Sequence, residues 1–217
     1  MIRDDCGNHQ NHETKTERGK HKEMAMIRRG FLILMAGLLA ACTTPVSVPR
    51  YADITFAHLP KIKLDVAKIT VVEAYQNQTT APNVDGEFPV PPMQMAAQWA
   101  KDRLEPVGTS GELIFTIKDA SVVEVPLKTS TGLTGLVTVD QAQRYDAHLV
   151  VEMSAQNPDA GTTAASATTV ERKRSVAEDI TLNEREGVWY KMTEEMAVDL
   201  NKQLEGGLNQ FFGAFLR

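Results

Sequence analysis

Cysteine and histidine are scarce in this chain of 217 residues. Cysteine occurs only at Cys6 and Cys42, so the fold depends on a core of apolar side chains more than on disulfides. Of the five histidines, only His58 and His148 lie in the part with globular patterning. The motifs Gly-x-Ser-x-Gly and His-Glu-x-x-His and a phosphate-binding glycine loop do not occur, which disfavours hydrolases, metalloproteases and nucleotide-dependent enzymes.

The sequence also lacks an excess of basic residues. Its 23 Lys and Arg stand against 28 Asp and Glu, for a net charge of −5. A nucleic-acid surface is basic, and so is a surface that docks on anionic lipid by charge. The composition argues against both, and we expect no nucleic-acid partner.

No apolar run is long enough to cross a bilayer. The run "FLILMAGLLAA" (31–41) has eleven residues, whereas a membrane-spanning helix needs about twenty. It follows a basic pair at 28–29 and ends in two alanines directly before Cys42. A basic start, a short apolar run and small residues before a cleavage site are the parts of a secretory signal peptide.

The stretch "LLAAC" (38–42) resembles the lipobox of bacterial lipoproteins. The resemblance implies that the Cys42 thiol receives a diacylglycerol, that the chain is cleaved before Cys42 and that the new amino terminus is acylated. Thr43, rather than Asp, follows the cysteine, as in lipoproteins sent to the outer membrane of enteric bacteria. We therefore expect membrane lipid at Cys42 and a place in the cell envelope, on the outer membrane facing the periplasm. A buried free cysteine is the alternative.

The signal peptide divides the chain into four parts. Residues 1–23 are polar and precede Met24 and Met26, either of which would give the signal a normal start, so we interpret 1–23 as an extension ahead of the true start. The signal is assigned to 24–41, a lipidated tether to 42–53, and a periplasmic α+β domain to 54–217.

Removal of residues 1–41 also removes four potential metal ligands, which are Cys6, His9, His12 and His21. A structural metal site needs ligands held in a closed coordination shell, so we expect no metal and no other cofactor. From Cys42 onward there are 16 Lys and Arg against 23 Asp and Glu, a net charge of −7, and a single cysteine. That part of the chain has no intrachain disulfide.

Periodicity predicts two helices and a set of strands. One helix is predicted over 92–104 and an amphipathic helix from Trp189 onward, either continuous or interrupted at Gly206-Gly207. Strands are predicted at 62–75 (one or two), at 113–128 with a bend near Asp119, at 144–156 and at 162–179. We expect a single small α+β domain with an antiparallel-rich sheet and both helices packed on one face. Its predicted core contains Leu104, Ile117, Leu149, Val151, Leu200 and Leu204.

The charged cluster "ERKR" (171–174) lies on the last predicted strand. Charges on an edge strand discourage pairing with another chain. This interpretation explains the cluster without nucleic acid.

The candidate functional residues are few. His58 and His148 are far apart in sequence, and a lone histidine is most often a satisfied polar residue, so we predict no catalytic residue. The glycine-flanked turn at 130–141 carries Leu133, Leu136 and Val137. If these side chains are exposed, they offer the apolar anchor that an interface hot spot requires. If they fold back onto the domain, they extend the core.

The predicted order of strands and helices resembles small α+β envelope lipoproteins, including auxiliary lipoproteins of ABC-type transporters and the lipoprotein partner in lipopolysaccharide assembly. The resemblance is one of topology and implies a non-catalytic binding module with an envelope protein partner. Such a module would serve an envelope assembly or transport system. The alternatives are an envelope enzyme and a structural lipoprotein.

The lipid-anchor prediction has a direct test. The Cys42→Ser variant has no thiol to acylate, so we expect it to lose the mass of the acyl chains. We also expect it to lose stable membrane attachment, because each buried methylene of an acyl chain contributes about 0.8 kcal/mol to that attachment. Intact-mass spectrometry and membrane fractionation measure both. A variant with the parent's processed mass and the parent's membrane association would contradict the prediction.

Overall fold

The computed structural model of the chain describes residues 51–127, 141–177 and 179–217. The strands are β1 (Ile62–Leu64), β2 (Lys68–Glu73), β3 (Leu104–Pro106), β4 (Glu112–Pro126), β5 (Gln141–Asn157) and β6 (Thr162–Ala177). The helices are α1 (Pro92–Arg103) and α2 (Leu182–Phe211), and a short 3₁₀ turn covers Asp85–Glu87.

The main sheet has four strands in the order β2-β4-β5-β6. β4, β5 and β6 form an antiparallel meander, and β2 joins the edge of β4 in the parallel direction. β1 and β3 form a separate short parallel pair. The prediction of a single small α+β domain with a mostly antiparallel sheet is confirmed.

Each long strand has one buried and one exposed face. The buried side chains of β4 are Leu113, Phe115, Ile117, Ala120 and Val122. The step of three between Ile117 and Ala120 is a bulge, where the pairing with β5 skips Lys118. Because two residues oppose one at a bulge, the apolar residues return to the buried face beyond it. This bulge is the bend expected near Asp119.

Local sequence explains where the helices begin. α1 starts at Pro92, and proline is tolerated in the first turn because its nitrogen needs no partner there. α2 starts at Leu182, earlier than Trp189, with a capping box. The Thr181 hydroxyl accepts from the Glu184 amide at 3.3 Å, and the Glu184 carboxylate accepts from the Thr181 amide at 2.9 Å.

α2 continues through Gly206-Gly207 without interruption. Each glycine costs up to about 1 kcal/mol relative to alanine in a helix. Leu204 and Leu208 on either side are fully buried, and their burial offsets this cost. Gly207 lies over β6, where a Cβ atom would stand 3.5 Å from the Ser166 hydroxyl.

The core lies between the sheet and the helices. The Trp99 ring of α1 stacks on Phe115 of β4 with centroids 5.8 Å apart, and its indole N–H donates to Asn201 of α2 at 2.8 Å. The six residues predicted to share the core are all buried in it, namely Leu104, Ile117, Leu149, Val151, Leu200 and Leu204. That prediction is confirmed.

The residues after α2 return to β1. Phe212 and Phe215 are buried, the Asp65 amide donates to the Phe215 carbonyl at 2.7 Å, and Leu216 bridges to Leu64. Both aromatic rings therefore belong to the core. Among the described residues, no helix combines the length and the hydropathy needed to cross a bilayer.

The docking of α2 predicts the cost of truncating its buried face. Leu200 is fully buried, so Leu200→Ala should lower the free energy of unfolding by about 2–5 kcal/mol. Val198, on the same helix, is 69% exposed, and Val198→Ala should change it by less than about 0.5 kcal/mol. Urea unfolding measures both values. A parent-like stability for Leu200→Ala would show that α2 is not docked through this face.

Candidate functional site

The chain from Tyr51 to Leu59, here called the N-terminal segment, lies on the helices. Phe56 is its buried anchor. One oxygen of the Asp102 carboxylate, on α1, accepts from the Phe56 amide at 2.8 Å and from the Thr55 hydroxyl at 2.7 Å. The other oxygen accepts from the Gln98 side chain at 2.7 Å. Asp102 therefore attaches the segment to α1.

The Asp102 pKa reflects this attachment. Burial acts to raise the pKa of Asp102, but the hydrogen bonds from Gln98, Phe56 and Thr55 outweigh it and hold the pKa below its usual value. These bonds favour the ionised form. The charged carboxylate is therefore the form that holds the segment.

The start of the N-terminal segment contacts α2. The Tyr51 ring lies 4.9 Å from the Tyr190 ring, and the Tyr51 hydroxyl donates to the Asn183 carbonyl at 3.3 Å. The segment thus reaches from α2 to α1. Tyr51, which the sequence analysis assigned to the tether, therefore contacts α2.

A groove of about 400 Å³ lies between the N-terminal segment and α2, and we call it the acidic groove. Its apolar lining consists of Ile54, Phe56, Leu59, Tyr190, Ala197 and Val198. Its polar lining consists of Asp53, Thr55, His58, Glu194 and Asn201. The lining contains two carboxylates and neither lysine nor arginine.

The two carboxylates make the groove electrostatically negative. Burial raises the pKa of Tyr190, and the charges of Glu194 and Asp53 raise it further. Lys191 lies 3.4 Å from Glu194 and partly opposes them. The groove therefore favours an apolar or positively charged occupant.

His58 is an exposed member of the groove lining. Within the described residues, its side chain makes no hydrogen bond and no ion pair. Sequence reasoning treated His58 as an isolated polar residue, and the structure places it in the same groove as Asp53 and Glu194. The groove therefore gives these three groups a shared surface.

The second histidine lies on the exposed face of the sheet. His148 Nδ1 is 3.0 Å from an Asp119 carboxylate oxygen, and His148 Nε2 is 3.9 Å from Glu171. Burial acts to raise the pKa of Asp119, but hydrogen bonds from His148 and Ser121 outweigh it and lower that pKa. This cluster connects β4, β5 and β6.

The cluster around His148 does not have the geometry of a nucleophilic triad. Ser121 stands opposite His148 in the register of β4 and β5, so serine, histidine and aspartate do meet. In a triad the carboxylate holds Nδ1 and the serine hydroxyl faces Nε2. Here the neighbour of Nε2 is Glu171, and the Ser121 amide donates to Asp119 at 2.9 Å. The arrangement is that of a cross-strand polar pair.

The residues predicted from sequence as sites lie outside the described residues. They are Cys42 and the turn residues Leu133, Leu136 and Val137. Sequence reasoning missed the acidic groove because the segment 51–59 has no clear period. Its apolar residues Ile54, Phe56 and Leu59 were the only available signal.

Comparison with known proteins gives remote structural likenesses. No family model and no curated protein matches the sequence. Rare lipoprotein B from Shewanella oneidensis is 15% identical, with a TM-score of 0.36, over 66% of this chain and 98% of that one. A minor lipoprotein from Acinetobacter baumannii is 12% identical, with a TM-score of 0.35, over 66% of this chain and 92% of that one.

A third solved structure, a DUF330 protein from Xanthomonas campestris, is 7% identical with a TM-score of 0.30. The match covers 69% of this chain and 85% of that one. All three TM-scores are below 0.5, so these likenesses indicate no function for this chain.

The attachment through Asp102 predicts a pH-dependent loss of stability. Folding lowers the pKa of Asp102, so the ionised carboxylate stabilises the folded chain. This stabilisation is fully present above the pKa that Asp102 has in the unfolded chain, and it is lost as the pH falls through the lower pKa of the folded chain. Asp102→Asn should lower the free energy of unfolding by about 1–2 kcal/mol at pH 7, and the difference from the parent should shrink toward pH 3. Urea unfolding at both pH values measures this.

The matched control is Asp159→Asn, at an exposed position in the turn between β5 and β6. It should leave stability unchanged at both pH values. An Asp102→Asn variant as stable as the parent at pH 7 would show that this carboxylate does not hold the segment.

Proposed function

We propose that this protein is a lipid-anchored, non-catalytic binding protein of the cell envelope whose acidic groove holds a segment of a partner protein. The observation that carries the proposal is the groove itself, which combines an apolar lining with two carboxylates beside the N-terminal segment. At about 400 Å³ it is at the small end of the range of ligand pockets, about 300–1,000 Å³. It has room for a few side chains of a partner.

The chemistry of the lining specifies the partner segment. Leu59 and Val198 offer apolar contact area, and Asp53 and Glu194 favour a positive charge next to it. An anionic lipid headgroup would meet like charge here, so its binding is disfavoured. The expected occupant is an amphipathic protein segment with apolar side chains flanked by Lys or Arg.

The lipid anchor would keep the groove close to a membrane. Cys42 precedes Tyr51 by nine positions, which at about 3.3–3.6 Å per residue reach about 30 Å when fully extended. A partner in the same membrane, or one that approaches its periplasmic face, is within that reach. This position supports a role as an accessory of an envelope assembly or transport system, with outer-membrane attachment as the specific proposal from Thr43.

The turn at Leu133, Leu136 and Val137 stays a second proposed contact. Charged substitutions at Leu133 and Leu136 should weaken partner capture and leave folding intact. The result of these substitutions does not depend on the acidic groove.

The groove is tested by crosslinking in intact envelopes. A photo-crosslinking amino acid at Val198, on the groove wall, should give a discrete adduct with a partner protein. The same amino acid at Ser154, which is exposed on the other face of the sheet, should not. Adducts of equal yield at both positions would contradict a binding role for the groove.

A charge reversal tests the partner's chemistry. Asp53→Lys should reduce the Val198 adduct about fivefold, which corresponds to about 1 kcal/mol for a lost rim charge pair. Glu73→Lys makes a similar change at an exposed position on β2 and should leave the adduct unchanged. Equal adducts in Asp53→Lys and the parent would exclude a cationic occupant. Turnover of an envelope substrate that is lost in His58→Ala would favour the enzyme alternative.

A further inference from the structure

The first five residues of the N-terminal segment, Tyr51 to Thr55, lie between two cavities, and we call them the strap. The acidic groove, of about 400 Å³, lies toward α2. A second cavity, of about 340 Å³, lies toward α1, and Val90 completes its lining. Both cavities are lined by the same strap residues, which are Asp53, Ile54 and Thr55. These three residues therefore separate the two cavities.

The middle of the strap has few interactions. Ala52 and Asp53 are exposed, and Ile54 is half-buried. Among the described residues, these three form no hydrogen bond. A segment without hydrogen bonds that borders cavities on both sides gives up few contacts when it moves. The strap is therefore held mainly by its two ends.

The two ends of the strap differ in how firmly they are attached. At one end the Asp102 carboxylate accepts hydrogen bonds from Thr55 and Phe56, and the Phe56 ring is buried. At the other end Tyr51 packs on a tyrosine ring of α2 and donates a single hydrogen bond, of 3.3 Å, to the neutral carbonyl of Asn183. Hydrogen bonds to an ionised group are about twice as strong as neutral ones. Tyr51 is therefore the end that detaches first, and Thr55 is the pivot.

Buried apolar side chains line both cavities. Met95 of α1 lines the second cavity, Ala197 of α2 lines the acidic groove, and both are buried. With the strap displaced, the two cavities would form one groove between α1 and α2. The joined groove would offer a partner segment more apolar area to cover than the acidic groove alone.

We propose that the strap opens at Tyr51, admits the partner segment to the joined groove and closes over it. Closure returns Asp53 to the groove wall, where its charge favours the Lys or Arg of the occupant. The identity of the occupant rests on the proposed function. The opening of the strap is a property of this chain alone.

Thiol labelling measures the opening in the full-length protein. Ala197→Cys places a thiol in the acidic groove, and peptide mass spectrometry of maleimide-treated protein gives its labelling rate separately from that of the other cysteines. Labelling of a covered thiol follows the population of the open form. Tyr51→Ala removes the ring contact and the hydroxyl, so it should raise the rate about tenfold. Tyr51→Phe keeps the ring contact and should raise it about threefold.

A second probe and a matched control complete the experiment. Met95→Cys is smaller than the parent side chain, lies in the other cavity and should respond in the same way. Ala100→Cys is the control, because Ala100 is also buried on α1 but lines neither cavity. Its labelling rate should be the same in Tyr51→Ala as with the parent tyrosine. Circular dichroism verifies that each variant is folded.

Two labelling results would overturn the proposal. An equal rise at all three cysteines would show that Tyr51→Ala loosens the whole fold. No rise at Ala197→Cys and Met95→Cys would show that Tyr51 does not hold the strap closed.

The photo-crosslink at Val198 tests closure over the partner. A strap that is no longer held at Tyr51 retains the occupant less well, so Tyr51→Ala should reduce the Val198 adduct about threefold. An unchanged adduct would contradict closure. A parent without any adduct would contradict the proposed function and the occupant of the groove, and the labelling rates would still decide whether the strap opens.

Discussion

The packing of α2 against the sheet is the interaction on which the rest of the structure depends. Its buried face, with Met196, Leu200 and Leu204, closes a core that contains no disulfide. The neighbouring face supplies Tyr190 and Val198 to the acidic groove. A third face receives the arginines of β6. One helix therefore fixes the core, the groove wall and the charge pattern of the sheet edge, and a displacement of α2 would alter all three.

Much of this architecture is encoded in local periodicity, and the groove is not. The alternation in β4 and the stripe of α2 predict the strands, the helix and the six core residues, because one-sided burial imposes periods of 2 and 3.6. The start of α2 was also readable, since Thr181 and Glu184 have the spacing of a capping box. The groove depends on contacts such as Asp102 with Phe56, 46 positions apart, which have no period. The parallel pairing of β2 with β4 depends on tertiary context in the same way.

The two faces of the sheet have different chemical roles. One face is buried beneath the helices. The other face carries cross-strand polar pairs, such as His148 with Asp119 and Lys118 with Glu152, the latter at 3.8 Å. A polar exposed face is normal for an antiparallel sheet that is covered on one side only. The histidine cluster needs no catalytic explanation for this reason. Among the described residues, the acidic groove differs from this ordinary surface.

The bulge in β4 has a consequence for how the gene tolerates insertions and deletions. Elsewhere in β4, loss of one codon would turn every following side chain to the opposite face, because the strand period is two. Loss of Lys118 would only remove the surplus residue, so that Ile117, Asp119 and Ala120 keep their faces and the strand becomes regular. The bulge lies where β2 ends its pairing at Ile117, so the straightened strand would still hold β2. Natural length variation in this strand should therefore concentrate at this one position.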